Sequence, residues 1–203
     1  LDADVAYLTD FLAQTPGPVV AVGHSYGGAV ISDAAHRASN VAGLVFVAAF
    51  APDEGEILGQ VSASSKDSIL MTALVPHLYP VSDGTAVEFF VDPMKFRDVF
   101  AVDLSAEHAA VLAATQRPVA AAAFADVVRT PAWRDIPSWA IVATADKAAG
   151  TDLVRSMAAR AGATTTEVDA SHLVLVSRPD VVADVILRAV ADVAQREPAG
   201  VAG

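Results

Sequence analysis

A serine between glycines follows the first apolar run of the chain and is the strongest candidate for chemistry. The run Val19–Val22 leads into Gly23-His24-Ser25-Tyr26-Gly27, which fits the pattern G-x-S-x-G, and a segment with helical spacing begins at Ala29. After a strand and before a helix, this pattern predicts a sharp turn that exposes the Ser25 hydroxyl above a sheet as a nucleophile. The residues two before and two after the serine must then lack bulk, and both are glycine. The amide of Tyr26, at the start of the helix, is predicted to help bind an oxyanion.

A serine hydroxyl is a weak nucleophile unless a base removes its proton and an acid orients that base. Among the five histidines, His172 follows the last predicted strand and precedes the last helix, which is where the base belongs when the chain order is serine, acid, histidine. We favour Asp146, just past the third predicted strand, as the acid. Asp53, at the exit of the preceding strand, is the alternative, whereas Asp169 is too close in sequence to His172 to reach its Nδ1 atom comfortably.

Strands and helices alternate along the chain and predict an α/β fold with a mostly parallel sheet flanked by helices. The last helix is predicted to begin with Ser177 as its N-cap residue. The first apolar run is continuous, which is typical of a strand buried on both faces. Four short runs are predicted as strands: 19–22, 43–50, 138–143 and 164–168.

Residues 52–132 interrupt this alternation and are predicted to form a small helical cap over the sheet. Asp92 and Ser105 are typical N-cap residues, and Pro118 is predicted to open an alanine-rich helix. The chain is thereby divided into a core with the serine turn (residues 1–51), the cap (52–132) and a second core segment with the acid and histidine loops (133–203).

Composition and charge exclude several classes of protein. The 203 residues are 54% hydrophobic and 18% charged, which is apolar enough for a sizeable core and excludes intrinsic disorder as the main state. No apolar run is long enough to span a membrane, and the absence of cysteine excludes a disulfide scaffold, a thiolate zinc site and a cysteine nucleophile. A net charge of −11 disfavours nucleic acid and anionic lipid as partners. Metal-binding and nucleotide-binding motifs are missing, so we expect neither a metal nor another cofactor, and the lack of a signal-peptide pattern favours a cytoplasmic location.

These motifs, in this order and spacing, resemble the α/β-hydrolase superfamily, and within it the compact esterase group of plant methyl-ester hydrolases and hydroxynitrile lyases. The segments that carry the resemblance are Gly23-His24-Ser25-Tyr26-Gly27-Gly28, Val45–Phe50 running into Ala51-Pro52, Ile141–Asp146 and Asp169–His172. The resemblance implies a catalytic triad of Ser25, Asp146 and His172, with the Tyr26 amide in the oxyanion hole. It also implies a small helical cap over an apolar substrate pocket.

The expected activity is the cleavage of small carboxylic esters through an acyl-enzyme. In the lyases of this group a lysine follows the catalytic histidine, but the corresponding residue here is Leu173, which suits ester hydrolysis better. A catalytically silent binding protein, or lyase or perhydrolase chemistry on the same triad, remains as an alternative. The expected substrate contacts are His24, although it would point away from the nucleophile, and the apolar residues Phe89, Phe90 and Leu173. Further candidates for the pocket wall are Leu74, Leu78, Tyr79, Phe96 and Phe100.

Members of this group carry further strands before the serine turn, and a His-Gly loop there supplies a second oxyanion amide. Because neither precedes Val19–Val22 in this sequence, we expect an N-terminal segment of the same fold, or another chain, to pair with that strand. A homodimer is one form that such pairing can take.

Overall fold

The computed structural model describes residues 1–196, in which a four-stranded sheet is surrounded by helices and carries one large insertion. Two short 3₁₀ turns lie at Leu70–Thr72 and Ala132–Arg134. The other elements, in chain order, are α1 (Asp2–Ala13), β1 (Val19–His24), α2 (Gly27–Arg37), β2 (Val41–Val47), α3 (Leu58–Ala63), β3 (Leu74–Val81), β4 (Gly84–Val91), α4 (Pro93–Phe100), α5 (Ala106–Thr115), β5 (Val119–Ala120), α6 (Ala122–Ala125), β6 (Ser138–Ala143), α7 (Thr151–Arg160), β7 (Thr164–Val168), α8 (Val174–Ser177) and α9 (Pro179–Arg196).

The central sheet is parallel throughout and has the strand order β1-β2-β6-β7. The two middle strands are buried along nearly their whole length, as expected for parallel strands covered by helices on both faces. Alternate residues of β2 face opposite sides: Leu44 and Phe46 pack with α1, α2 and α7, whereas Val45 and Val47 pack with α9. The predicted α/β architecture is therefore correct.

Strand β1 lies at an edge of this sheet, and it is less buried than its apolar sequence suggests. Val22 is 42% exposed, so the expectation of burial on both faces is wrong for this strand. An edge strand in this position has backbone groups that face away from β2. That a further strand pairs with this edge stays a prediction.

The insertion is not purely helical, which corrects the expectation for residues 52–132. Strands β3 and β4 form an antiparallel hairpin, and the two-residue strand β5 pairs with β4. The predicted helix caps are confirmed: the Asp92 side chain accepts from the Met94 amide, and the Ser105 side chain accepts from the His108 amide. Pro118 directly precedes β5 and does not open the predicted alanine-rich helix.

The two remaining differences lie at the ends of elements. Strand β2 ends at Val47 because Ala48 adopts a left-handed conformation with φ of 43°, which stops the extended chain. Ser177 is the last residue of the short helix α8, and α9 starts at Pro179, so Ser177 is not the predicted N-cap. Within residues 1–196, no helix combines the length and the apolar composition needed to cross a membrane.

Candidate active site

The turn between β1 and α2 holds Ser25 in a strained conformation. Its φ is 53°, in the left-handed region that non-glycine residues rarely adopt. The Ser25 amide donates to the Val47 carbonyl (3.2 Å), and the Ser25 carbonyl accepts from the amides of Gly28 (3.0 Å) and Phe50 (3.1 Å). These bonds fix both peptide groups of the serine between the end of β2 and the start of α2. Backbone hydrogen bonds from two neighbouring segments therefore hold Ser25 in this strained conformation.

The glycines around Ser25 differ in how much space surrounds them. A Cβ atom on Gly23 would lie 2.5 Å from the Gly27 carbonyl oxygen, and a Cβ atom on Gly28 would lie 2.4 Å from the Phe50 carbonyl oxygen. A Cβ atom on Gly27 would meet nothing within 4 Å. The steric requirement expected two residues after the serine is therefore wrong for Gly27. It applies to Gly28, one residue further along α2.

Three side chains from distant loops form one continuous hydrogen-bonded row. His172 Nε2 lies 2.9 Å from Ser25 Oγ, and His172 Nδ1 lies 2.8 Å from Asp146 Oδ2. Because a carboxylate only accepts, Nδ1 carries the proton and Nε2 is free to accept from the serine hydroxyl. The three residues follow β1, β6 and β7, whose carboxyl ends share one edge of the sheet. The structure thus brings together the three residues that the sequence analysis selected.

Asp146 is buried, with only 1% of its surface exposed, and its second oxygen is also satisfied. Oδ1 accepts from the amides of Ala148 and Ala149, both at 2.9 Å. Burial by itself would raise the pKa of this carboxyl, but the nearby His172 and the hydrogen bonds from His172, Ala148 and Ala149 outweigh it and hold the pKa below its ordinary value. Asp146 is therefore an ionised, immobilised acceptor for the imidazole.

The two other carboxylates considered for this role lie elsewhere. The Asp53 side chain pairs with the Arg134 guanidinium and accepts from the Glu54 amide (2.8 Å). Asp169 is exposed to solvent after β7. Neither makes a hydrogen bond to His172, whose Nδ1 is bound by Asp146.

His24, expected to contact substrate, packs behind the base instead. Its Nε2–H donates to the His172 carbonyl (2.9 Å), and the two imidazole rings are 4.7 Å apart between centroids. Burial, together with the neighbouring His172, lowers the pKa of His24 to about 4. His24 is therefore neutral at neutral pH, and it is absent from the lining of the cavity described below.

Tyr26 contributes a backbone amide at the N-terminus of α2 and a side chain at the cavity wall. Within residues 1–196, this amide donates to no protein acceptor, so it is available to a bound oxygen atom. The phenol oxygen donates to Asp4 Oδ2 (2.7 Å), and burial, followed by this hydrogen bond, raises the pKa of the phenol. The side chain is thereby held to α1, away from the Ser25 hydroxyl.

An apolar cavity of about 480 Å³ opens above Ser25 and His172. Of the predicted contacts, Phe89 and Leu173 line this cavity. Phe90 does not, because alternate residues of β4 face opposite sides and its ring packs against His77, with 4.9 Å between centroids. Phe50 and Phe124 also line the cavity, although neither was expected from the sequence. The apolar lining is Tyr26, Phe50, Leu70, Met71, Leu74, Phe89, Val91, Phe96, Phe100, Leu112, Val119, Phe124, Ala148, Ala149 and Leu173.

Some residues expected at the cavity wall lie elsewhere, and the unexpected wall residues differ in whether the sequence could have indicated them. Leu78 is 75% exposed on the hairpin, and neither it nor Tyr79 reaches the cavity. Phe50 follows the end of β2, and its position at the carboxyl edge of the sheet could have pointed to the site. Phe124 lies in the short helix α6 within an alanine-rich segment, where no sequence signal distinguishes a wall residue from a core residue.

The chain belongs to the alpha/beta hydrolase family, because the model of that family matches residues 1–185. A comparison with curated protein sequences gives no match. Among solved structures, polyneuridine aldehyde esterase is similar with a TM-score of 0.74 and 20% identity, over 91% of this chain and 77% of that one. A methylesterase from Arabidopsis is similar with a TM-score of 0.71 and 19% identity, over 91% of this chain and 75% of that one. A single-residue variant of tomato methylketone synthase I, in complex with β-ketoheptanoate, has a TM-score of 0.73 and 18% identity, over 93% of this chain and 78% of that one. At these identities the similarities establish the fold.

Proposed function

We propose that this protein is a serine hydrolase that cleaves small carboxylic esters through an acyl-enzyme intermediate. One observation carries the proposal: the Ser25 hydroxyl, the His172 imidazole and the Asp146 carboxylate are joined by bonds of 2.9 and 2.8 Å at the floor of an apolar cavity. Hydroxyl, imidazole and carboxylate in this order can transfer a proton as the serine attacks.

In the first half of the reaction, Ser25 Oγ attacks the ester carbonyl carbon while His172 Nε2 takes the hydroxyl proton. Asp146 keeps the imidazole in the required tautomer and stabilises the imidazolium that forms. The negative charge that develops on the carbonyl oxygen is stabilised by the free Tyr26 amide and by the start of α2. His172 then returns the proton to the departing alcohol, which leaves an acyl group on Ser25.

In the second half, water takes the place of the alcohol. His172 Nε2 removes a proton from this water, and the resulting oxygen attacks the acyl carbon. Collapse of the second tetrahedral intermediate breaks the bond to Ser25 Oγ and releases the carboxylic acid, while the serine recovers its proton from His172.

The cavity favours esters whose acyl and alcohol parts are both apolar and small. Its volume of about 480 Å³ falls at the lower end of the range for small-molecule sites. Leu173, next to the base, contributes an aliphatic wall without a charge. Two of the structurally similar proteins are an esterase and a methylesterase, which supports methyl and other short alkyl esters as the first substrates to test.

The test is covalent labelling with a fluorophosphonate, together with the hydrolysis of short p-nitrophenyl esters. We expect the wild-type protein to be labelled at Ser25 and to release p-nitrophenol. The variant Ser25→Ala should do neither, with an unchanged melting temperature. Ser62→Ala is the matched control, since Ser62 also lines the cavity but lies outside the hydrogen-bonded row, and it should be labelled like the wild type.

The outcome separates this proposal from a binding protein that has the shape of a hydrolase. A folded wild-type protein that is not labelled would contradict the proposal and favour the binding protein. Equal labelling of the wild type and Ser25→Ala would remove Ser25 from the mechanism. For the acid, Asp146→Asn should lower kcat by about 10³–10⁴-fold because the imidazole then loses its fixed tautomer.

A further inference from the structure

In the loop that carries His172, each of the four consecutive residues from Ala170 to Leu173 makes a hydrogen bond to a segment outside the loop. The Ala170 carbonyl accepts from the Ala145 amide (3.0 Å), and the His172 carbonyl accepts from His24 Nε2–H (2.9 Å). Both partners belong to the core: Ala145 follows β6, and His24 is the last residue of β1. The remaining two residues, Ser171 and Leu173, are held from the insertion.

The support from the insertion comes from the corner between α4 and α5. The Phe100 carbonyl accepts from both the Ser171 hydroxyl (2.8 Å) and the Leu173 amide (3.1 Å). Asp103 Oδ2 accepts from the Ser171 amide at 3.0 Å. The Phe100 ring meets the His172 ring edge-on, with 5.1 Å between centroids. The insertion therefore packs against the imidazole ring and hydrogen-bonds the residues on either side of His172.

Asp103 is the charged side chain in this support. Asp103 is exposed to solvent, and the partial desolvation of its carboxyl would raise the pKa, but hydrogen bonds, chiefly those from Ser171, outweigh that effect and lower the pKa, so the acceptor is ionised at neutral pH. Ser171 and His172 are each only 1% exposed, which leaves the loop little space in which to rearrange. A hydrogen bond to an ionised acceptor is among the stronger hydrogen bonds in proteins, and this one is donated by the amide of the residue directly before the base.

We propose that Asp103 is a positioning residue: its carboxylate, supplied by the insertion, fixes the Ser171 peptide and thereby the direction in which the His172 imidazole faces Ser25. This inference rests on the proposed function, because positioning matters only if His172 is the base. Asp103 does not line the cavity, so it acts through the loop and not on the substrate.

The test compares Asp103→Ala, Asp103→Asn and Asp98→Ala with the wild type. Asp98 is an exposed acid on α4 whose replacement makes the same change in charge without touching the loop. We expect Asp103→Ala to lower kcat about tenfold, the equivalent of one such hydrogen bond, with KM changed less than twofold. Asp103→Asn should recover most of kcat because its amide oxygen still accepts from Ser171. Asp98→Ala should match the wild type.

Fluorophosphonate labelling distinguishes positioning from general loss of structure. The rate constant of labelling should fall in Asp103→Ala in parallel with kcat, while the final labelled fraction stays that of the wild type. A lower final fraction with an unchanged rate constant would show partial unfolding and would overturn the inference, as would unchanged kinetics. Wild-type protein that resists labelling would instead reject the proposed function itself, so the two failures are distinguishable.

Discussion

The two adjacent glycines at the start of α2 should respond in opposite ways to the addition of one methyl group. A Cβ atom on residue 28 would lie 2.4 Å from the Phe50 carbonyl oxygen and 2.8 Å from the Ala49 Cβ atom, whereas ordinary contacts are 3.4 Å or longer. Helix α2 and the segment after β2 would therefore have to separate by about 1 Å. The same methyl group on Gly27 enters open space.

The expected free energies follow from these distances. Overpacking typically costs about 1–3 kcal/mol, and Gly28→Ala should lie at the upper end because backbone atoms must move. For a chain of this size, that loss lowers Tm by about 6–12 °C. Gly27→Ala should change the free energy of unfolding by between zero and about 1 kcal/mol in the stabilising direction, because alanine favours helix more than glycine does.

Differential scanning calorimetry on the two variants provides the measurement, and the rate of Ser25 labelling provides a second readout. The Phe50 amide donates to the Ser25 carbonyl, so displacement of this segment in Gly28→Ala should also slow the labelling. Gly23→Ala should behave like Gly28→Ala, since its Cβ atom would meet the Gly27 carbonyl at 2.5 Å. Equal melting temperatures for the variants at residues 27 and 28 would refute the steric reasoning.

Two further predictions concern buried ionisable groups. His24 has a pKa of about 4 instead of 6.5, mainly because of its burial, so the unfolded chain binds the extra proton between these pH values and stability should rise with pH across this window by about 3 kcal/mol. Thermal unfolding should show a smaller rise for His24→Gln, and an identical pH dependence would contradict the assignment. Asp33 is fully buried and accepts from Arg37 (3.2 Å) and from the Arg129 amide (3.3 Å). Asp33→Ala should therefore lower the free energy of unfolding by about 1–3 kcal/mol in a urea titration, and a loss below about 0.5 kcal/mol would show that these bonds contribute little.

The order of elements in the core and the three polar residues of the site could be predicted because both depend on local patterns. Apolar runs that end in glycine or in polar residues mark the carboxyl ends of β1 and β6, and a threonine-rich run marks β7; these three ends meet at one edge of a parallel sheet. Ser25, Asp146 and His172 each follow such an end. Their approach to within hydrogen-bond distance therefore required only the topology, which alternating strands and helices already indicate.

The hairpin in the insertion was missed although its turn has a recognisable composition. The pair Val81–Gly84 closes a two-residue loop, Ser82-Asp83, between β3 and β4. Pro76 and Pro80 argue against a strand, yet β3 is an edge strand, where proline is tolerated. A sequence pattern does not show which strand will be at an edge, so the helical expectation was the natural one.

The walls of the cavity depend on packing, which local patterns do not specify. Period-two alternation places Phe89 and Phe90 on opposite faces of β4, but the alternation alone does not show which of the two faces the cavity. In the same way, the tight glycine at residue 28 depends on the approach of Phe50, which is distant in sequence. The residues that were not predicted are those whose role depends on contacts between segments that are distant in sequence.

If the proposed function holds, the corner from Phe100 to Asp103 couples substrate selectivity to turnover. Phe96 and Phe100 form part of the cavity wall, and the same helix end supports the loop of His172. Protein engineers who exchange the insertion to obtain a new substrate preference should therefore see turnover change as well, even when every residue of the core is retained. A chimera that keeps this corner and varies only the hairpin and α5 offers a route to new selectivity at constant turnover.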